Sequence, residues 1–234
     1  MTAVMPTPTR RAILALPNWS PDAPAPVLDA AGDMVALLAP LAVTEPAFPA
    51  LLESCESVTL IAWSGPTEDH EGDPFDPDPR AWLPASMPAF LERLRALEPV
   101  LAARRIRLLI RPHARHIVSD GPRCAALFRP EWRSAAAHVG LALDPAAMLE
   151  PSMLPVGADH VRRALELAGP LASVVILTNA AAPNDREGIV LQTPIREGVI
   201  PADELVRLAR VHVPEGCPIA VLAGDAAVLG YTSA

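Results

Sequence analysis

The sequence contains no lysine, and all 19 of its basic residues are arginines. No side chain can therefore form a lysine Schiff base with a carbonyl substrate, and no lysine can bind nucleotide phosphates in a P-loop. This absence excludes lysine-dependent aldolases, enzymes that anchor pyridoxal phosphate through lysine, and P-loop nucleotide hydrolases. The many Ala, Pro and Arg residues indicate a GC-rich, bacterial genome as the simplest origin of this bias.

Cysteines, aromatic residues and positive charge are also scarce. The three cysteines, Cys55, Cys124 and Cys217, lie far apart and show no CxxC spacing. This pattern is typical of reduced thiols and argues against a cysteine zinc site. Aromatic residues make up 4% of the chain and hydrophobic residues 51%, so the core must be largely aliphatic. A formal net charge of -8 argues against a general nucleic-acid partner, which would need a basic face.

The chain has no apolar run long enough to span a membrane. Arg10 and Arg11 precede a short apolar run that stops at Leu16, before Pro17. That run is too short for the hydrophobic region of an export signal. We therefore expect a cytoplasmic protein that does not associate with membranes.

Seven short apolar segments alternate with segments of helical periodicity along the chain. The apolar segments are continuous, which is typical of parallel strands buried on both faces. The predicted strands are residues 12–16, 34–38, 58–63, 106–110, 139–143, 173–177 and 218–223. The predicted helices are residues 27–31, 48–55, 85–103, 159–168 and 202–210, with 121–128 and 131–138 helical or irregular.

Two residues modify the predicted helices. Pro99 is expected to kink or break the helix over 85–103, since proline removes a helical hydrogen bond. Asp159 is expected to cap the helix that begins there. The segment 179–188 is predicted to be a loop.

Alternating strands and helices predict either a doubly wound sheet or a barrel. The first strand is followed by Pro17-Asn18-Trp19-Ser20 and not by a glycine-rich loop, so a dinucleotide-binding sheet is disfavoured. We therefore predict an α/β fold, a TIM-like barrel, over residues 12–234, preceded by a loose tail at 1–11. A closed barrel of this kind needs eight strands. Either the barrel is incomplete or an eighth strand lies at residues 41–43.

Polar side chains follow two neighbouring strands of this predicted barrel. Arg111, His113, Arg115 and His116 come directly after one strand, and Asp144 follows the next. The carboxyl ends of barrel strands meet at one face, where barrel enzymes place their active sites. The sequence thus predicts a site at this mouth of the barrel.

The order of these elements resembles that of the xylose-isomerase-like TIM barrels, a superfamily of sugar phosphate isomerases and epimerases, inosose dehydratases and AP-endonuclease-type enzymes. The strand over 105–113 resembles the family's strand ending in Glu-Asn-His. The segment 139–145 resembles its Val-Gly-x-x-x-Asp strand. The segment 192–199, with the helix and strand after it, resembles the family's Leu-Gly-Glu-Gly segment and closing strand.

The resemblance implies a divalent metal held by Glu, Asp, His and Glu, but this sequence departs from that set. Arg111 stands where the first carboxylate is expected, and Asp144 is retained. The other expected ligand positions fall on apolar residues: Ala147, Ile176 or Leu177, and Leu222. A fixed positive charge beside the site would repel a dication by several kcal/mol. We therefore predict no metal cofactor; if one binds, only Asp144 and His113 remain as ligands.

Two functions remain open from the sequence. The first is an isomerase, epimerase or dehydratase that acts on a small polyol or sugar-like anion, with proton transfer by His113 and Asp144. The substrate-binding residues would be Arg111, Arg115, His116, Arg196 and Trp63. The second is an inactive relative that serves as a scaffold for a ligand or a protein partner. In that case Arg111 and Asp144 would form a structural ion pair.

The segment 66–79, hereafter the acidic loop, contains four prolines and six carboxylates. This composition predicts a solvated loop without regular structure. The alternatives are that its carboxylates supply metal ligands from above the mouth, or that the loop acts as a lid. Trp63 and Trp82 flank the loop and could form an apolar wall for a sugar ring, or pack into the core.

Overall fold

The computed structural model describes residues 12–17, 22–56, 58–129, 136–183, 188–222 and residue 225. The predicted tail at 1–11 and most of the predicted segment 131–138 lie outside these residues. Among the described helices, none is long and apolar enough to cross a membrane.

Eight strands form a closed barrel, which confirms the predicted TIM-like fold and shows that no strand is missing. They are β1 (Ile13–Leu16), β2 (Ala25–Leu28), β3 (Met34–Leu38), β4 (Thr59–Trp63), β5 (Arg107–Arg111), β6 (Val139–Leu143), β7 (Val174–Ile176) and β10 (Ile219–Leu222). The barrel closes where β1 pairs with β10 in parallel. β8 (Asn179–Ala181) and β9 (Leu191–Thr193) form a separate antiparallel pair.

The eighth strand is β2, so the predicted helix over 27–31 is wrong, and so is the suggested strand at 41–43. β2 runs antiparallel to both β1 and β3, whereas the other barrel neighbours are parallel. A tight turn joins β2 to β3: the Asp29 carboxylate accepts the N–H groups of Ala31 and Asp33, both at 2.9 Å. Gly32 adopts φ 87° in this turn. A connection this short cannot hold a crossover helix, so the strand reverses direction.

The barrel strands alternate between two cores. Ile61 and Leu109 point into the barrel, while Leu60 and Leu108 pack against the surrounding helices. Because side chains on a strand alternate with a period of two, Trp63 and Arg111 at the strand ends also point inward. Asp144 has the same relation to Ala142 on β6. The periodicity therefore brings all three side chains to the mouth of the barrel.

The described helices are α1 (Phe48–Ser54), α2 (Ser86–Arg104), α3 (Gly121–Ala126), α4 (Gly157–Ala168) and α5 (Ala202–His212). α2 continues through Pro99, so the expected break is wrong. Pro99 is exposed, and the opposite face of α2 buries Phe90, Leu94, Leu97 and Leu101. Burial of each of these side chains stabilises the fold by about 1.5–3 kcal/mol. Their sum exceeds the ~3 kcal/mol cost of a proline inside a helix.

Two local predictions near the C-terminal half are also corrected. α4 begins at Gly157, so Asp159 lies in its first turn and is not its N-cap. Its negative charge there still interacts favourably with the helix dipole. Part of the predicted loop at 179–188 is β8, and Asn179 holds the segment that follows by donating to the carbonyl groups of Ile195 at 2.8 Å and Ile200 at 2.7 Å. Residues 184–187 lie outside the described part of the chain.

Candidate functional site at the barrel mouth

Arg111 and Asp144 form a buried ion pair at the mouth. The Arg111 Nη2 donates to Asp144 Oδ2 at 2.6 Å, and Nε donates to the same oxygen at 2.9 Å. The two side chains are 2% and 0% exposed. Burial lowers the pKa of Arg111 while the Asp144 charge opposes this, and an arginine remains protonated in proteins. The geometry is that of a buried, hydrogen-bonded ion pair.

Gln192 on β9 completes this pair and was not singled out as a site residue from the sequence. Its Oε1 accepts from Arg111 Nη2 at 2.7 Å, and its Nε2 donates to Asp144 Oδ2 at 2.6 Å. The Gln192 amide therefore forms hydrogen bonds with both members of the ion pair. The sequence signal was weak, because β8 and β9 are only three residues each and β8 was predicted to be loop.

Trp63 on β4 supports the guanidinium from another side. The guanidinium carbon of Arg111 lies 3.9 Å from the centroid of the Trp63 ring. A cation over an aromatic face is attracted by the ring quadrupole. Trp63 is 4% exposed, so its ring packs within the mouth. Arg111 thus interacts with an anion, an amide and an aromatic ring.

Phe75, from the acidic loop, covers this layer. Its ring packs edge-on against Trp63 and His113, with centroids 5.4 and 4.9 Å apart, and lies 5.1 Å from that of His116. The acidic loop is therefore folded onto the barrel at this point, as the lid alternative required. Phe75 is the one aromatic residue in an otherwise acidic and proline-rich segment, and that isolation was the available sequence signal.

Both mouth histidines are buried and neutral near pH 7. Burial, together with the charges of His116, Arg111 and Arg115, holds the pKa of His113 well below its ordinary value. Burial lowers the pKa of His116 to about 3. His113 Nδ1 accepts the N–H of Arg115 at 3.2 Å, and His116 Nε2 lies 3.1 Å from the Pro74 carbonyl. In both imidazole rings these contacts assign the proton to Nε2.

The acidic loop is held by further hydrogen bonds. Arg115 donates to the Phe75 carbonyl at 3.0 Å. Asp78, which is 2% exposed, accepts from the Thr67 hydroxyl at 2.5 Å and from Arg80 Nε at 3.0 Å. Burial raises the pKa of Asp78, but these hydrogen bonds lower it to about 2. The expectation of a solvated loop is therefore wrong for Phe75 and Asp78, although the other carboxylates are exposed.

Two residues considered from the sequence lie away from the mouth layer. Arg196 is exposed and lines a surface groove with Val206 and Arg210 of α5. Trp82 is 44% exposed, and its indole N–H donates to the Ala114 carbonyl at 3.0 Å. The structure thus brings together Trp63, Arg111, His113, Arg115, His116 and Asp144, but does not place Arg196 with them.

A divalent metal does not fit the donors present at the mouth. Asp144 Oδ2 already accepts three hydrogen bonds, two from Arg111 and one from Gln192, and Oδ1 accepts the Ala147 N–H at 3.2 Å. The permanent charge of Arg111 lies against the retained carboxylate. Among the described residues, no group of three His, Cys, Asp or Glu side chains could hold a metal ion.

The strand order and the crossover helices place the chain in the class of TIM-like α/β barrels, with one reversed strand and a mouth filled by an internal ion pair. Solved structures similar to it include a xylose-isomerase-like TIM barrel protein from Mycobacterium smegmatis in complex with magnesium. That protein shares 16% identity with the chain, and the match covers 78% of this chain and 60% of the other, with a TM-score of 0.41.

Two sugar epimerases are also among the similar structures. A 3-keto-D-glucoside 4-epimerase from E. coli shares 16% identity over 76% of this chain and 62% of its own, with a TM-score of 0.42. A D-psicose 3-epimerase shares 14% identity over 78% and 59%, with a TM-score of 0.43. The chain spans about 60% of the length of these structures. No protein-family model and no curated protein matches the sequence.

Proposed function

We propose that the chain is a sugar isomerase/epimerase-like barrel without metal-dependent proton transfer, and that it serves as a binding scaffold for a ligand or a protein partner. The observation that carries the proposal is the ion pair of Arg111 with Asp144, which is buried where the resemblance implies a metal. The Asp144 carboxylate already accepts hydrogen bonds from Arg111 and Gln192 and lies against a fixed cation, so it is poorly placed to bind a metal.

The histidines support the same proposal. A general base needs a free lone pair within reach of the proton that it removes. The His113 lone pair at Nδ1 is already engaged by the Arg115 N–H. His116 keeps its Nδ1 lone pair, but that atom is buried and, among the described residues, has no hydrogen-bond partner. Neither imidazole is arranged as a base while Phe75 covers the mouth.

A second candidate is an isomerase or epimerase that acts on a small polyol or sugar-like anion through His113 and Asp144. The convergence of Arg111, His113 and Asp144 at one mouth favours it, because such a reaction needs a cation and proton-transfer groups together. It requires Phe75 to leave and the Arg111–Asp144 pair to open. The roles of Arg115, His116, Trp63 and Arg196 in substrate binding remain predictions under this candidate.

The expected location is the cytoplasm. Cys55, Cys124 and Cys217 are free thiols in the described structure. Free thiols support a reducing compartment. The thiol of Cys124 is also unreactive, since burial raises its pKa to about 12.

Solvent deuterium exchange separates the two candidates. Purified protein would be incubated in D2O with a panel of aldoses, ketoses and polyol-derived ketones, with and without Mn2+, and the C–H signals next to the carbonyl followed by NMR. Isomerases and epimerases that move a proton exchange it with solvent. The scaffold proposal predicts no exchange above that of buffer. Exchange that is lost in His113→Gln and Asp144→Asn would establish the enzyme instead.

A further inference from the structure

A cavity, hereafter the lateral cavity, lies beside the barrel mouth on the same face of the barrel. Its volume is about 460 Å3, within the ~300–1,000 Å3 range of small-molecule sites. Thr44, Thr67 and Ile117 line it from the connections that follow β3, β4 and β5, and α2 lines it with Phe90. The cavity therefore lies on the carboxyl-end face, where barrels carry their function, but off the barrel axis.

The floor of this lateral cavity is apolar. Phe90 and Ile117 are buried beneath it, and Leu83, which is 54% exposed, forms one wall. Two of the three hydroxyl groups in the lining are engaged elsewhere: Thr67 donates to Asp78, and Ser86 donates to the Ala81 carbonyl at 2.6 Å. The third, the hydroxyl of Thr44, is buried and has no hydrogen-bond partner among the described residues. A ligand that enters the cavity would place hydrocarbon against Phe90 and Ile117, because a polar group there would lose its hydrogen bonds to water.

The entrance is negatively charged. Glu68 and Asp69 line the cavity with side chains 59% and 77% exposed, and Glu68 forms an ion pair with Arg93 at 3.5 Å. Arg80 is the one cation in the lining, and it already pairs with Asp69 at 2.7 Å and with buried Asp78 at 3.0 Å. Three further exposed carboxylates of the acidic loop, at Glu71, Asp73 and Asp76, add to the negative field. A cation is the complementary charge at this entrance.

We propose that the lateral cavity binds a small amphiphilic cation. Its hydrocarbon or aromatic group lies against Phe90, Ile117 and Leu83, and its ammonium group lies at Glu68 and Asp69. The site is separate from the ion pair of the barrel mouth. Binding in the lateral cavity is therefore independent of whether the mouth is catalytic. If no cation binds in this cavity, the proposed function of the mouth is unchanged.

Three probes with one phenyl-alkyl skeleton test the assignment: 4-phenylbutylamine, 4-phenylbutanol and 4-phenylbutyrate. Binding would be measured by chemical-shift titration of 15N-labelled protein. We expect the amine to bind at least tenfold more tightly than the carboxylate, with the alcohol between them, and to shift the amides of residues 67–69, 85–87 and 89–90. Equal affinity for all three, tighter binding of the carboxylate, or no binding of the amine at millimolar concentration overturns the proposal.

Two pairs of variants assign the binding to this cavity. Ala89→Leu fills the cavity from an exposed position of α2, while Ala96→Leu makes the same change on the same helix away from it. Glu68→Gln removes a carboxylate of the entrance, while Glu71→Gln removes one outside the lining. We expect Ala89→Leu to abolish amine binding and Glu68→Gln to weaken it about threefold or more, the size of one partly screened charge contact. Unchanged binding in both, or equal losses in the controls, contradicts the assignment.

Discussion

The guanidinium of Arg111 lies 3.9 Å from the ring centroid of Trp63, its cross-strand partner on β4. Asp144, after the next strand, takes the same guanidinium in an ion pair at 2.6 Å. Three neighbouring strands thus contribute an aromatic ring, a cation and an anion to one layer at the barrel mouth. The position where the family resemblance implies a metal carboxylate is filled by a positive charge that the protein itself neutralises.

The first prediction concerns the mutual dependence of Arg111 and Asp144. Either Arg111→Met or Asp144→Asn leaves one buried charge without its partner, and we expect each to lower the free energy of unfolding by about 3–5 kcal/mol. The double variant removes both charges and retains the side-chain oxygen that accepts the Ala147 N–H. It should therefore be more stable than the sum of the single changes by about 2–3 kcal/mol. Urea unfolding at pH 7 measures all four proteins. Additive losses would show that the pair is not coupled in solution.

A second prediction concerns Phe75 as the cover of the mouth. Phe75→Ala removes the ring that buries His116, so water reaches the imidazole and its pKa should rise from about 3 towards the ordinary 6.5. NMR titration of the histidine ring protons measures this shift. Phe128→Ala is the matched control, because Phe128 is also half-buried but packs on the outer core. A His116 pKa that is the same in Phe75→Ala and in the wild type would mean that Phe75 does not cover the mouth.

A third prediction is acid sensitivity from the mouth histidines. Their folded pKa values lie below the unfolded value near 6.5, so the unfolded chain binds protons that the folded chain does not. The stabilisation is complete above pH 6.5 and is lost as the pH falls towards 3, by about 1.4 kcal/mol per pH unit for each histidine. Asp78, with a pKa of about 2, contributes a loss only below its ordinary 3.8. Hydrogen bonding to Arg207 lowers the pKa of Glu204, which contributes a loss only below its ordinary 4.5, and burial raises the pKa of Glu150, which opposes the loss. The window from pH 6.5 to about 5 therefore reports chiefly on the histidines.

Urea unfolding at several pH values across this window provides the measurement. His116→Gln retains a side-chain N–H that can donate to the Pro74 carbonyl but cannot take up a proton. Its stability should fall less steeply with decreasing pH, by about one histidine's share of the slope. Identical slopes in His116→Gln and the wild type would refute the assignment of the acid loss to this residue.

A fourth prediction concerns Arg123, which joins α3 to the start of α2. Its Nη1 donates to the carbonyl groups of Ala81 and Ile117 and to the Ser86 hydroxyl, and its Nη2 donates to the Trp82 carbonyl at 2.7 Å. Arg123→Met should lower the free energy of unfolding by about 3 kcal/mol, and Arg123→Lys by about 1–2 kcal/mol, because an ammonium cannot span these acceptors.

Thermal and urea unfolding compare these variants with Arg163→Met, an exposed arginine of α4 for which the described structure shows no partner. That control should change stability by less than about 0.5 kcal/mol. Hydrogen exchange at residues 81–83 should accelerate in the Arg123 variants alone. Equal stability of Arg123→Met and Arg163→Met would contradict the anchoring role.

Sequence periodicity sufficed for the parallel part of the barrel and for the inward direction of Arg111 and Asp144. Continuous apolar strands and the alternation along them carry that information. β2 could not be recognised because Ala25–Leu28 is four residues long and contains Pro26, and its assignment depends on pairing with β1 and β3. The strand exists through tertiary hydrogen bonds and not through local propensity.

The mouth could be predicted in outline only. Arg111 and Asp144 follow strands of strong pattern, so both were expected there. Gln192 and Phe75 reach the mouth from β9 and from the acidic loop, whose paths are set by long-range contacts such as that of Arg115 with the Phe75 carbonyl. The composition of the acidic loop indicates solvent exposure, and this holds for five of its six carboxylates. It does not reveal that Phe75 packs on the mouth.

Calorimetric titration of the wild-type protein with Mn2+, with Asp144→Asn as the matched control, tests most directly whether the Arg111–Asp144 pair has replaced the metal. We expect no stoichiometric binding to either protein, because Asp144 already accepts hydrogen bonds on both oxygens and lies against a fixed cation. Binding of one Mn2+ per chain to the wild type, lost in Asp144→Asn, would contradict this expectation and restore a metal-dependent enzyme.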